Sequence, residues 1–571
     1  MTDVAAAPAA ELASLAAAHH EAWLAAHPVE ATVIGERRFD DRLEDISPEG
    51  VRARAIQLRG FLERARAIPT GVMAEADVVT HEVLLEALQT ELSLVEADLE
   101  EWTVDPLNGP QVHFLNLPTL QPVTTVEQGE AMAGRWRAMG PWLDQHMANL
   151  RRSASEGLVG VHEPVVKTIE ALDALGNRPL ETWAVLDPIR EPHPDWPAGD
   201  LEAFRADLLT AVREGLAPAF ARYRELLADV ILPVARPGER AGLLHLPGGS
   251  ETYRRLVRAH TTLALSPEEI HGIGLREVAR VNAETEELGR RVLGAPDRAA
   301  TVERMRGDPS LHFSTREEIV SEAETALARA RAAIPAWFGR LPGAECAVVP
   351  IAEHEERHAT IAYYWQPAAD GSRPGQYFVN THAPETRPRF EAEALAYHES
   401  IPGHHLQIAI AQELTGLPEF RRHLAVTAFD EGWGLYAERL SDEMGLYTSD
   451  LDRLGVLSFD SWRACRLVLD TGLHALGWSR AQAMEFMIAN SPVATNNVVN
   501  EVDRYIVWPG QALAYKMGQL EILRLRAWAR ERLGGRFDIR AFHDAVLSEG
   551  AVPLRVLGDL VARYAERAAA G

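Results

Sequence analysis

Residues 398–405 read His-Glu-Ser-Ile-Pro-Gly-His-His, and no other stretch of the chain gathers so much potential chemistry. Two neutral imidazoles beside a carboxylate are what a hydrolytic zinc site uses: nitrogen lone pairs for the ion, and a carboxylate to take a proton from its water. The usual arrangement is His-Glu-x-x-His, with both histidines on one helical face. Here the residue four after His398 is Pro402. At about 100° per residue, His398 and His404 stand roughly 240° apart on a regular helix and cannot share an ion there. Pro402 lacks an amide hydrogen and presses on the His398 carbonyl, while Gly403 reaches backbone angles closed to other residues. Residues 400–403 are therefore expected to form a bulge that brings His404 round to His398, with Glu399 as general base. His405 is the alternative second ligand: it shares the face of His398 but lies about 10.5 Å further along an undistorted axis.

A letter-perfect copy of the usual motif, His354-Glu355-Glu356-Arg357-His358, lies nearby. It sits in a charged run between strand-like segments and has no buried helical face, so it is read as an exposed loop. The third ligand is expected from Asp430-Glu431-Gly432-Trp433-Gly434-Leu435-Tyr436, on a helix from about His423 to Met444. Glu431 follows His404 after a helix, a tight turn and a new helix start, and the two glycines allow close approach of backbones. Asp430 is the expected partner for the second nitrogen of a ligating imidazole.

Further candidates flank this core. Arg463, Arg466, Asp470 and His474 recur three to four apart on the helix 460–478: either an ordinary salt-bridged face or a cleft lining in which an arginine receives a substrate carboxylate. In 500–518, Tyr505 and Tyr515 compete to hold a tetrahedral oxyanion, and Lys516 and Arg504 to bind a terminal carboxylate. Lysine occurs only at 167 and 516 in an arginine-rich chain, which singles out Lys516.

These residues need elements to carry them. Apolar positions at helical spacing flank the motif on both sides, so it interrupts a buried helix. From Glu11 to about Ala336 nearly every segment reads as helix, broken by proline-rich stretches at 106–122, 188–197 and 233–247. Capping boxes are read at Ser266 to Glu269 and Ser314 to Glu317. Residues 346–351, 360–365 and 376–380 are β-rich, giving a small sheet just before the metal helix. Its Tyr377 to Asn380 segment is taken as an edge strand that holds substrate by strand addition, against the plainer reading of a hairpin that only packs.

Composition narrows the partners. The chain has 571 residues, 47% hydrophobic and 25% charged, as an ordinary globular protein does. A formal charge of -26 argues against nucleic acid and anionic membrane. Cys346 and Cys465 are too few for a disulfide framework or a thiolate zinc site. No apolar run approaches the ~20 residues of a membrane span. The alanine-rich start carries no basic residue before Arg37, so a cytoplasmic protein is expected.

Together the segments 398–405, 430–436, 463–478 and 503–516, with Phe39-Asp40-Asp41-Arg42-Leu43 near the start, resemble the bacterial domain-of-unknown-function family DUF885. That family is grouped by similarity with the helical gluzincin zinc peptidases, among them angiotensin-converting enzyme, oligopeptidases and thermostable carboxypeptidases. The resemblance implies an elongated, mainly α molecule with a deep central cleft, residues 1–340 forming one side and 341–571 the catalytic part of one continuous unit. It also implies one zinc ion held by His398, His404 and Glu431, with Glu399 as base. Dipeptidyl peptidase III, whose motif carries one extra residue and remains catalytic, is the precedent for a lengthened motif.

The expectation is thus a zinc metallopeptidase acting on short peptides. The alternatives are an amide or ester hydrolase for a non-peptide small molecule and a non-catalytic peptide-binding protein of the same fold. The expected substrate-side residues are Lys516, Arg504, His405, Arg463, Arg466, Tyr377 and Asn380, with Asp430 and His474 behind the ligands.

Overall fold

Ser266 accepts a hydrogen bond from the Glu269 amide, the Glu269 carboxylate accepts from the Ser266 amide, and Pro267 pre-sets the first turn; from this box runs the helix Pro267–Leu293. The second expected box is replaced by a single side-chain cap one residue on. Thr315, not Ser314, accepts from the Glu318 amide and starts the helix Arg316–Ala333. The computed structural model describes residues 2–351, 356, 360–368, 371 and 373–570. With 72% helix and 3% strand, the protein is mainly α with one small sheet.

One helix organises the C-terminal half. Asp450–His474 starts at Ser449, whose hydroxyl accepts from the amides of Leu451 and Asp452. Between Leu454 and His474 every residue except Trp462 is buried. A helix buried all round must be surrounded by others. Its neighbours are Pro267–Leu293, Ala392–Glu399, Arg480–Asn490, Thr495–Val507 and Leu513–Leu533. The helix Thr427–Glu443 packs lengthwise on Leu513–Leu533. Their backbones meet at two glycines: a Cβ on Gly432 would stand 2.5 Å from Cα of Gly518, and one on Gly518 would stand 1.8 Å from the Ala428 carbonyl oxygen.

A buried ionic network ties four of these helices together. Asp460 pairs with Lys516, and also accepts from Arg439 Nε at 3.1 Å and from Arg280 Nη2 at 3.1 Å. Lys516 further contacts Glu277 at 3.2 Å and donates to Gln519 Oε1 at 2.7 Å. Burial opposes the Asp460 charge, but the three cations hold its carboxyl far below the usual range.

The main apolar core draws on both sides of residue 340, joining Leu15, Leu84 and Leu327 to Tyr397, Trp433 and Leu557. A second core, built around Trp136, Leu143, Phe220 and Tyr223, lies within residues 29–231.

The sheet comprises β1 (Cys346–Pro350), β2 (Ala362–Trp365) and β3 (Gly375–Val379) in the order β1-β3-β2. β3 runs parallel to β1 and antiparallel to β2, so Tyr377 faces Val348 on one side and Tyr364 on the other. This corrects the strand-addition expectation: β3 is the central strand, and both its backbone edges are taken. Tyr377 is buried. The Asn380 side chain donates to the carbonyls of Glu356 (2.7 Å) and Thr360 (3.0 Å) and accepts from the His382 amide, bracing the turn out of β3.

Candidate metal centre

The helix that begins at Ala392 ends at Glu399, and a new one starts at His404 and runs to Gln412. The motif is therefore a complete break rather than a bulge within one helix. Ser400 leaves helical geometry (φ -107, ψ -110), as does Gly403 (φ -81, ψ -130), and the Ile401-Pro402 peptide between them is cis. A Cβ at Gly403 would stand 1.9 Å from the His398 carbonyl oxygen, so the reversal is open only to glycine. Trp433 Nε1 donates to the Pro402 carbonyl at 2.9 Å, fixing this turn to the helix that carries Glu431.

The break brings His398, His404 and Glu431 together, with one potential ligand atom from each lying within 4.8 Å of the others. Glu431 Oε2 is 3.5 Å from His398 Nε2 and 3.7 Å from His404 Nε2. Neighbouring ligand atoms around a tetrahedral zinc are about 3.3 Å apart, so the glutamate oxygen needs to close on each imidazole nitrogen by only a few tenths of an ångström. The imidazoles are edge to face, 4.7 Å between centroids at 87°. Gly434 makes room for the first of them, since a Cβ there would stand 2.6 Å from Cε1 of His398. Side-chain exposure rises from 5% at His398 to 12% at His404 and 24% at Glu431, so solvent reaches the cluster from the glutamate side.

The orientation of His398 comes from a residue that the sequence reading passed over. Its Nδ1 lies 2.8 Å from Glu438 Oε1, and an ionised carboxylate can only accept; Nδ1 therefore carries a proton and Nε2 faces Glu431. Burial opposes charge on His398, yet Glu431 and Glu438 push its pKa up to about 10, so the pocket favours positive charge. A divalent cation among these ligands would satisfy the same field. Glu438 was detectable in principle: it follows Glu431 by two helical turns and so shares its side of the helix.

Asp430, expected in that orienting position, instead accepts from Gln407 Nε2 (2.8 Å) and the Val426 amide (2.9 Å), and burial raises it to about 7. His404 Nδ1 is buried without a hydrogen-bond partner among the described residues. His405 points elsewhere: Nδ1 meets the Tyr364 hydroxyl at 2.8 Å and Nε2 the Ala344 carbonyl at 3.1 Å, with burial lowering its pKa to about 4. It joins neither the ligands nor a substrate path.

Glu399 is half-buried and, among the described residues, has no hydrogen-bond or ion-pair partner, though its charge is felt by His398 and Tyr377. Of the two tyrosines, Tyr505 is committed: its hydroxyl donates to Glu501 at 2.6 Å and accepts from Arg466 Nε at 3.1 Å. Tyr515 is half-buried, and its pKa is raised by burial and by the Glu431 carboxylate, which makes it the tyrosine beside the cluster.

The substrate-side cations divide. Lys516 is fully buried in the Asp460 network, so its rarity marks a structural role and not the expected carboxylate-binding one. Arg504 pairs with Glu501 at 3.0 Å and donates to Gln511 Oε1 at 3.0 Å. His474 accepts from the Leu243 amide and meets the Tyr505 carbonyl at 2.9 Å, joining helices rather than supporting the ligands. Arg463 and Arg466 are buried beside Trp462. In the second motif copy, Glu356 is paired with Arg316 at 2.7 Å; His354, Glu355, Arg357 and His358 lie outside the described residues.

Fold and site together define a mainly helical protein with a two-histidine, one-glutamate centre suited to a cation. The chain belongs to the bacterial family DUF885, bacterial proteins of unknown function, whose pattern matches residues 28–561. It is similar to the crystal structure of "the putative lipoprotein from Colwellia psychrerythraea", with 27% identity and a TM-score of 0.90 over 98% of this chain and 99% of that one. It also shares its fold with "a putative lipoprotein of unknown function from Shewanella oneidensis", at 16% identity and a TM-score of 0.73 over 96% and 99%. No curated protein matches it.

Proposed function

We propose that the protein is a zinc-dependent metallopeptidase of short peptides, with a helical zinc-peptidase fold and Glu399 as general base. The observation that carries this reading is the convergence of His398, His404 and Glu431, with the far nitrogen of His398 on Glu438. Two nitrogens and a carboxylate oxygen, with one side open to solvent, form the donor set of a catalytic rather than a structural zinc site.

When bound there, the ion supplies Lewis-acid activation of a water and of the scissile carbonyl. Glu399, next to His398 and without a competing partner, takes the water's proton and passes it to the leaving amine. Tyr515 donates its hydroxyl to the oxyanion, a role supported by its place beside Glu431. Glu438 keeps His398 in the tautomer and orientation that ligation requires.

Metal analysis of protein purified without chelator is expected to find one zinc per chain. Glu399→Gln should retain the metal and lose about 10²–10⁴-fold in peptide hydrolysis, the usual weight of a general base. Unchanged turnover in that variant removes the mechanism. Absence of stoichiometric metal leaves a peptide-binding protein of this fold, and turnover of acylated amines alone leaves a non-peptide amidase.

The lipoprotein names of the two structural relatives support a place at the cell envelope over the expected cytoplasmic one. No helix among the described residues is long and apolar enough to cross a membrane. Cell fractionation should recover the protein with the envelope, and recovery in the cytosol alone would count against this placement.

A further inference from the structure

Arg463 is 6% exposed, yet its guanidinium makes no hydrogen bond or ion pair among the described residues, and Nε and Nη1 are buried. It lies between two rings, with Cζ 4.6 Å from the Phe459 centroid and 4.5 Å from that of Trp462. One turn on, Arg466 lies against the same indole at 4.8 Å. Its Nε donates to Tyr505 and its Nη2 to Glu501 at 3.1 Å, but its Nη1 is also buried and unpartnered.

Cation–π contacts contribute about 0.5–2 kcal/mol, whereas burying an uncompensated ion costs several kcal/mol. The rings therefore do not account for Arg463. Nor do the nearby carboxylates: Glu501 is shared among Arg466, Arg504 and the Tyr505 hydroxyl. Glu391, the acid nearest in influence to Arg463, accepts from the Ser458 hydroxyl, and burial pushes its pKa up and so favours its neutral form. Three arginines face at most two carboxylates, in a chain whose overall charge is -26. The local excess of positive charge runs against the whole molecule.

This positive pocket lies close to the metal centre. Arg466 Cζ is 4.3 Å from the ring centroid of Tyr515, and the Tyr515 hydroxyl feels Glu431.

We propose that Arg463 and Arg466 form a subsite for the free C-terminal carboxylate of the substrate, so that the protein acts at the C-terminal end of short peptides. This rests on the metallopeptidase reading above and adds the direction of attack. A carboxylate would supply the acceptor that Arg463 Nε and Nη1 and Arg466 Nη1 lack.

The test pairs one short peptide as its free acid with the same peptide as its C-terminal amide. Binding is measured by calorimetry on the Glu399→Gln variant and hydrolysis on the unaltered protein. The free acid is expected to bind roughly 10–100-fold more tightly, the worth of a charged hydrogen-bonded contact. Arg463→Met should abolish that preference while leaving the melting temperature equal or higher, because it removes a buried charge that has no partner. A fall in melting temperature with the preference retained would make Arg463 a structural cation and overturn the proposal. Equal handling of acid and amide would overturn it too, while hydrolysis of both would leave the metallopeptidase reading standing. Binding and hydrolysis of neither would end both readings. Activation by chloride, absent with gluconate at equal ionic strength and without an acid preference, would assign the pocket to an inorganic anion and overturn the substrate claim.

Discussion

His404 and His405 are neighbours in sequence with opposite fates, one beside His398 and Glu431, the other bonded to Tyr364 and the Ala344 carbonyl. At the scale of single residues the motif was legible. Pro402 and Gly403 excluded a regular helix, and that exclusion stands in the observed break. What stayed hidden was the partner of each polar atom. Asp430 adjoins Glu431, yet Glu438 holds His398. Replacing Glu438 by Leu removes the acceptor and frees the imidazole to turn, so metal affinity should fall about 10–100-fold with the fold intact. Competition with a chromogenic chelator measures this, and an unchanged dissociation constant would leave Glu438 without the orienting role.

Among the elements, the helix Thr427–Glu443 does two jobs on two faces. One face meets Leu513–Leu533 through Gly432 and Gly518, and the other presents Glu431 and Glu438 to His398. Gly434 is the residue on which the second job depends. Gly434→Ala would put a methyl 2.6 Å from the imidazole, with no flexible chain end to yield, so the ring must move. The expected outcome is loss of stoichiometric metal with an unchanged helical circular-dichroism spectrum; full metal retention would show that the close approach is dispensable. The sheet teaches a related lesson. All three strands were readable from β-rich runs, but the insertion of β3 between β1 and β2 was not, because strand order is chosen by packing on the helices Arg316–Ala333 and Ala392–Glu399.

For the molecule as a whole, buried charge on helices distant in sequence governs response to pH. Burial works against ionisation of Glu501, but Arg466 and Arg504 hold it down to about 2, below its ordinary value of 4.5. A carboxyl with a lowered folded-state pKa contributes stability that is complete above its unfolded value and lost as pH falls toward its folded one. The window is therefore pH 4.5 to 2, and the shift corresponds to roughly 3 kcal/mol. In urea unfolding, the advantage of the unaltered protein over Glu501→Gln should shrink by about that amount across the window. A constant difference would show that the charge on Glu501 contributes nothing to the fold. The sequence alone determined the helical class, the helix starts such as Ser266 and the interruption at 400–403, because each depends on residues within a few turns of one another. Only the tertiary structure decided that Lys516 would neutralise Asp460, that Tyr515 rather than Tyr505 would stand beside the centre, and that Arg463 would be buried without a partner. Those outcomes depend on which helix faces lie together, and local spacing carries no information about a neighbour many residues away.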